Sequence, residues 1–345
     1  MYMKPSILLL FGGESSEHDV SIKSAINVSR AIDTSKYMIH FGYIDRDGVW
    51  WHVDAVVDNP TGETKQLLPK LGEAAFVIEG TDKLIRPTVI LPILHGRNGE
   101  DGSVQALAQL LHIPIVGCDM TSSAAAMNKY ITKQIAMVNN IKVASFMVHH
   151  SADPIPQYEK ISEQLGATLF IKPANAGSSI GVHKVVDQPQ LEQALRDAHT
   201  HDTIVLIEQA INARELEVAV LGNYPTVEAS AVSEVRSDGD FYSYESKYGK
   251  ASTSKVVIPA ELSPEISASL QLQAKQIFYL LGGSGLARVD FFLDKDTQDI
   301  YLNEVNTIPG FTDISVYPKA WEHAGVSYGQ LIERLINLAV HTSAV

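Results

Sequence analysis

The chain is organised around residues 286–315, LARVDFFLDKDTQDIYLNEVNTIPGFTDIS. Two short alternating runs, ARVDFFL and IYLNEVN, flank a polar turn of Asp, Lys, Thr and Gln, and that pattern predicts a β-hairpin. Side chains two apart in a strand share a face. Arg288 and Asp290 therefore point one way, and Val289, Phe291 and Leu293 the other. Glu304 and Asn306 likewise share a face. A turn closing near Thr297 sets Asp290 opposite Glu304 and Arg288 opposite Asn306, so one surface carries three oxygen ligands and a guanidinium. Such a surface suits Mg²⁺ bound to phosphate, because magnesium prefers hard oxygens, takes few carboxylates and fills its other positions with water and phosphate. A nearby Arg stabilises the charge that moves in phosphoryl transfer. A solvated hairpin with an ordinary ion pair would use the same residue types. Pro309-Gly310, close behind the last ligand, turns the chain back over the surface and favours the metal.

The 345 residues suffice for two or three domains at about 100–200 residues each. No segment approaches the roughly 20 apolar residues of a membrane span. The run SILLLF after Lys4 is too short for a signal peptide and ends in Gly-Gly without a small-x-small cleavage site, so it reads as a buried first strand. The single cysteine, Cys118, excludes an internal disulfide and suits a reducing cytoplasm. A formal charge of −13 argues against a general nucleic-acid or anionic-membrane surface. Any phosphate site must then be built from a few placed Lys, Arg and backbone N–H groups.

Residues 6–11 read as a buried strand, followed by a Gly-rich turn and a helix with Ile22, Ala25, Ile26 and Ile32 on one face. Strand, turn and helix open a doubly wound α/β domain. No G-x-G-x-x-G is present, but Glu17 and His18 stand at the strand's C-terminal edge, where such folds bind ligands. Strands at 38–44 and 88–94 follow, the second running into HGRNGEDG, whose three glycines imply special backbone angles or close approach of a ligand. His95 at the end of that strand reads as functional; Glu100 and Asp101 read as residues that orient the loop. A boundary falls near 120–126. Lys129 and Lys133, one helical turn apart, can share a face, which by itself means only solubility. Strand LFIKP ends in Lys172 and leads into ANAGSSIGV, a small-residue loop able to lay backbone N–H groups on phosphate. Residues 189–199 form an amphipathic helix with Pro in the first turn. A buried strand then ends in Glu208, and Glu215 and Glu217 follow on RELEVAVLG, either as contacts to adenine or ribose or as edge charges. Residues 237–254, polar and aromatic, read as a lid carrying Lys247 and Tyr248. Helices are expected over 264–281, capped by Ser263, and over 328–340.

GGESSEHDVS, HGRNGEDG, IKPANAGSSIGV, IEQAINARELEVAVLG, YESKYGKAS, LARVDFF and YLNEVNTIPGFTDIS stand here in the order seen in D-alanine–D-alanine ligases of the ATP-grasp fold. From about residue 6 to 335 the chain resembles that family. The resemblance implies an α/β chain, α+β in part, with an N-terminal doubly wound Rossmann-like domain (1–122), a central ATP-grasp subdomain with a phosphate flap (123–212) and a C-terminal subdomain with lid and metal site (213–345). It implies ATP and two Mg²⁺, with Mn²⁺ able to substitute, two D-alanines joined through an acyl phosphate for peptidoglycan precursors, a cytoplasmic setting and a homodimer.

By the same resemblance Glu17 holds the first ammonium, with Ser178 and Tyr248 linking flap and lid to it, and His95 lies near the first substrate. Lys129 and Lys172 hold phosphate, with Lys247 nearby on the lid as a contact to substrate and ATP; Glu208 and Glu215 contact adenine and ribose; Ser178, Ser179, Gln209, Ile211, Asn303 and Glu304 complete the ATP contacts. Asp290, Glu304 and Asn306 bind magnesium, Arg288 and the Gly310 N–H stabilise the transferred phosphoryl and the oxyanion, and Ser315 binds the second carboxylate. Gln209 replaces the lysine common in relatives, Asn128 replaces an aspartate, and Tyr248, where D-lactate-using relatives place His, favours D-alanine over D-lactate. A D-alanine–D-serine ligase, another ATP-grasp carboxylate–amine ligase and a silent nucleotide-binding module are the competing readings.

Overall fold

The computed structural model describes residues 4–56, 64–236 and 255–342. Lys247 and Tyr248, assigned to the lid, lie outside the described residues. Strand β1 (Ser6–Gly12) is buried throughout, as its unbroken apolar run requires. Helix α1 (His18–Ala31) follows, then β2 (Met38–Ile44), β3 (Trp50–Val53), β4 (Lys65–Lys70), β5 (Ala75–Ile78), β6 (Leu84–Ile85), β7 (Val89–Ile93) and α2 (Ser103–Leu110). They make a seven-stranded sheet in the order β6-β5-β4-β3-β2-β1-β7. Among the described strands β1 pairs parallel with β2 and with β7, Ile90 of β7 adds a parallel bridge to Ile115, and the other strand pairs of this sheet are antiparallel. The sequence patterns locate the parallel part and miss the meander. In β4 only Leu67 is buried, which leaves no alternation to read.

Helices α3 (Met120–Met127) and α4 (Lys129–Val138) lead into the second unit. Asn128 breaks them apart: its backbone is extended and its side chain accepts the Ile131 N–H, an N-cap for α4. Strands β8 (Phe146–His150), β9 (Leu169–Pro173), β10 (His183–Val185) and β11 (Ile204–Gln209) form an antiparallel sheet in the order β10-β9-β11-β8. Helices α5 (Tyr158–Leu165) and α6 (Gln188–His201) cover it, Leu191 and Leu195 packing with Leu169, Ile171 and Ile207.

The third sheet comprises β12 (Ala213–Asn223), β13 (Thr226–Ala229), β14 (Ser233–Arg236), β15 (Lys255–Val257), β16 (Gly285–Asp294) and β17 (Ile300–Asn306). Its order is β15-β14-β12-β16-β17, with β13 on β12. The expected hairpin is β16–β17, and its register pairs Arg288 with Asn306 and Asp290 with Glu304. Leu302 pairs with Phe291, so Asn303 is an extra residue, a β-bulge. Helix α7 (Pro264–Leu280), capped by Ser263, buries Leu270, Ile277 and Phe278 against Val289, Phe291 and Leu302. Helices α8 (Val316–His323) and α9 (Tyr328–Thr342) return to the first sheet, where Tyr317, Trp321 and Leu335 share a core with Leu9, Phe11 and Ile93. Among the described residues no helix is long and apolar enough to cross a membrane.

Candidate functional site

The polar face of the β16–β17 hairpin is assembled as its alternation demands. Arg288 donates twice to Asp290, Nε to Oδ1 at 2.8 Å and Nη2 to Oδ2 at 2.7 Å. The same Nε lies 3.1 Å from Glu217 Oε2, on the residue that β12 sets opposite Asp290. Asn306 Nδ2 donates to Asp290 Oδ2 at 3.0 Å, and Glu304 Oε2 lies 3.6 Å from Lys129 Nζ. Burial alone would lower the Arg288 pKa; Asp290 and Glu217 raise it well above its ordinary value and keep the guanidinium charged. Asp290, Glu304 and Asn306 offer two carboxylates and an amide oxygen on adjacent strands, a hard donor set that fits magnesium. Asp290, one of the carboxylates that would hold the ion, also accepts from the Arg288 guanidinium.

This face forms one wall of a 480 Å³ cavity lined also by Glu17, His95, Glu100, Ser178, Gly310 and Ser315. Glu17 precedes α1 and is 8% exposed. Its carboxylate fits between two glycines, since a Cβ on Gly96 or Gly177 would lie 3.1 or 3.6 Å from Oε2. Gly310 packs closely on Ser315: a Cβ there would stand 2.8 Å from Ser315 Oγ, so that hydroxyl would have to shift. Ser315 Oγ accepts the Thr312 N–H at 3.0 Å.

His95 is committed to the protein at both ring nitrogens, Nδ1 2.9 Å from Ile308 O and Nε2 3.2 Å from Ser24 Oγ. It lines this cavity and also joins the first sheet to the loop after β17. Burial lowers its pKa, against the opposing charge of Glu17. Glu100 completes the joint: its carboxylate accepts the Gly96 N–H at 2.8 Å and the Ile308 N–H at 3.0 Å. Burial first, and the neighbouring Glu17 second, push the Glu100 carboxyl up to about 8.

A second cavity of 610 Å³ lies between the other two sheets, lined by Phe170, Lys172, Glu208, Gln209, Ile211, Glu215 and Phe292 among others. Lys172 Nζ is 2.8 Å from Glu208 Oε2 and donates to Asn303 Oδ1 at 3.3 Å; the bulge leaves Asn303 free of the ladder to receive it. Lys133 Nζ is 3.1 Å from Glu208 Oε1. Burial alone would raise the Glu208 pKa; Lys133 and Lys172 instead hold it at about 2. Lys129, at the start of α4, is 8% exposed and donates to Ala176 O at 2.5 Å. Ser178 and Ser179 have φ of +51° and +60°, left-handed values that fold the loop tightly.

The sequence-derived residues thus fall into two adjoining groups: Glu17, His95, Ser178, Arg288, Glu304, Asn306, Gly310 and Ser315 around one cavity, and Lys172, Glu208, Gln209, Ile211 and Glu215 around the other. Asp290 and Lys129 contact members of the first group, and Asn303 contacts Lys172. Ser179 lines neither cavity. Three residues acquire a place that pattern reading withheld. Glu217 pairs with Arg288, Lys133 is buried rather than solubilising, and Glu100 reaches across to the backbone of the loop after β17. Glu217 left a signal in sharing a strand face with Glu215, and Glu100 in its place in the loop that it orients.

Family comparison accords with this arrangement. A family model described as D-ala D-ala ligase N-terminus matches residues 6–118, and one described as D-ala D-ala ligase C-terminus matches 134–337. The chain is 43% identical to the D-alanine–D-alanine ligase of Oceanobacillus iheyensis, covering 98% of this chain and 96% of that one. It is 42% identical to that of Clostridium novyi, covering 98% of each. Among solved structures, the VanG D-Ala:D-Ser ligase of Enterococcus faecalis superposes with a TM-score of 0.89 at 34% identity, covering 98% of this chain and 100% of that one. The D-alanine–D-alanine ligase of Coxiella burnetii gives 0.88 at 31% identity, covering 99% and 95%. With two ligase family models spanning most of its length and an ATP-grasp architecture, the chain belongs to the D-alanine–D-alanine ligase family.

Proposed function

We propose that this protein joins two D-alanine molecules at the expense of ATP, and that its three units divide at about residues 122 and 212. The carboxylate of the first D-alanine attacks the γ-phosphorus, ADP leaves, and an acyl phosphate forms. The amine of the second D-alanine attacks the acyl carbon, loses a proton, and the collapsing tetrahedral species expels phosphate. Glu17 holds the first ammonium, and Ser178 with Tyr248 closes flap and lid over it. Ser315 takes the second carboxylate. Arg288 and the Gly310 N–H stabilise the oxygens on which negative charge grows. Lys129, Lys172 and Lys247 hold phosphate; Glu208, Gln209, Ile211 and Glu215 face adenine and ribose. Magnesium, two ions on the family's pattern and replaceable by manganese, would be held by Asp290, Glu304 and Asn306 and would offset phosphate charge. Dimerisation through the N-terminal domain belongs to the same proposal and rests on the resemblance.

The observation that carries the reading is Arg288, held by Glu217 and Asp290 in the wall of the cavity that Glu17 and Ser315 also line. An acyl phosphate hydrolyses in water, so its chemistry requires an enclosed site worked by electrostatic clamps. The test is ADP release with D-alanine alone and with D-alanine plus D-serine or D-lactate, products identified by mass. Dipeptide from D-alanine alone, abolished in Arg288→Ala, supports the proposal. Turnover only with a different second substrate moves the specificity, and no turnover with any D-amino acid overturns it.

A further inference from the structure

The pattern LysXXXLys at the start of α4 reads as solubility, yet Lys133 is 1% exposed. A buried ammonium is costly and persists only with a partner. Its partner is Glu208 Oε1 at 3.1 Å, and its ammonium also lies 5.6 Å from the centre of the Phe146 ring. The other Glu208 oxygen meets Lys172 at 2.8 Å. One carboxylate thus stands between two lysines, and only Lys172 and Glu208 line the nucleotide cavity.

Counting charge explains the arrangement. A lone Lys172–Glu208 pair would sum to zero and offer a phosphate no net charge. A second buried ammonium behind Glu208 offsets that carboxylate from the far side and leaves the Lys133–Glu208–Lys172 cluster with one net positive charge. Lys129, the other cation facing Lys133, stands a helical turn away toward Glu304. It therefore does not replace Lys133 as a partner of Glu208.

We infer that Lys133 is a positioning residue for the nucleotide: it neutralises Glu208 from behind so that Lys172 is free to bind the polyphosphate of ATP. This rests on the ligase reading and adds to it a residue that touches no substrate. A purely structural lysine would affect stability alone. A charge-compensating one must affect the polyphosphate and spare the nucleoside.

Calorimetric titration of the full chain with ATP and with adenosine, before and after Lys133→Met, separates these. Glu208 keeps Lys172 as partner in that variant, so no charge is orphaned; Lys133→Gln serves as the second neutral variant. We expect ATP to bind about tenfold or more weakly, adenosine to change by less than about twofold, and KM for ATP to rise while KM for D-alanine holds. The double variant Lys133→Met/Glu208→Gln leaves Lys172 unpaired and should regain most of the preference for ATP over adenosine. Equal losses for both ligands, or no loss of ATP affinity in either neutral variant, overturn the inference and leave the ligase reading intact. Failure of the unaltered chain to bind ATP overturns both.

Discussion

At the scale of single residues the site is a set of buried charges, each held by a named partner. Arg288 shows what this demands, because a lysine cannot donate twice to Asp290 and also reach Glu217. Arg288→Lys should therefore keep the fold but lose about 10²–10³ in kcat, as read by ADP release beside an unchanged melting curve. Arg288→Ala should also unfold more easily, by about 3 kcal/mol, because Glu217 and Asp290 then face each other without a cation; denaturant titration measures it. The two buried glutamates give opposite pH signatures. Glu100 has its pKa raised from 4.5 to about 8, so the folded chain holds that proton where the unfolded chain has lost it. Its contribution is greatest below 4.5 and declines as pH rises to about 8. Glu208, lowered from 4.5 to about 2, contributes fully above 4.5 and loses that contribution as pH falls toward 2. Glu100→Gln should thus lower stability, through the lost acceptor for a backbone N–H, yet flatten its pH dependence between 4.5 and 8, as unfolding titrations at stepped pH would show. The pairing of Asp290 with Glu304 was legible from period-two alternation. Lys133 was not, because helical spacing tells which residues share a face and not what that face meets.

At the scale of elements, positions that alternate regularly were readable and irregular ones were not. Leu302 and Val305, three apart, both enter the core, which requires the extra residue Asn303 between them. No pattern in IYLNEVN announces that bulge, and it is what lets Asn303 accept from Lys172 beside Glu304. The loop after β17 is likewise set by partners remote in sequence. Glu100 accepts the Ile308 N–H, His95 meets Ile308 O, and Ser24 Oγ accepts the Phe311 N–H at 3.3 Å. These three contacts bracket Gly310, so the N-terminal unit positions the proposed oxyanion donor. Ser24→Ala removes the acceptor for Phe311 N–H and a partner of His95. It should cost about 1 kcal/mol of stability, and steady-state kinetics should show kcat falling with KM for ATP unchanged. A matching rise in KM for ATP would argue instead for general loosening.

At the scale of the whole molecule, three sheets converge on two cavities whose walls differ in kind. The proposed nucleotide cavity takes Phe170, Lys172 and Glu208 from the central sheet and Glu215, Val235 and Phe292 from the C-terminal one. None of Asp290, Glu304 and Asn306 lines it. A ligand seated there bridges two sheets, and it does so without drawing on the proposed metal residues. A ligand that binds only the folded chain stabilises it by about 2.7 kcal/mol at one hundred times its dissociation constant. Chelating divalent cations should therefore abolish turnover but leave the upward shift of the melting temperature by adenosine intact. ATP should lose part of its shift under the same treatment, because Lys129, Lys172 and Arg288 then face the phosphates without the ion that Asp290 and Glu304 would hold. With a net charge of −13 the surface offers phosphate no general attraction, which places the demand on a few cations set in the cavity walls. Thermal melts with adenosine and with ATP, each with and without chelator, read the difference. Loss of the adenosine shift on chelation would mean that the two cavities form one metal-dependent unit, against the division of residues seen in their walls.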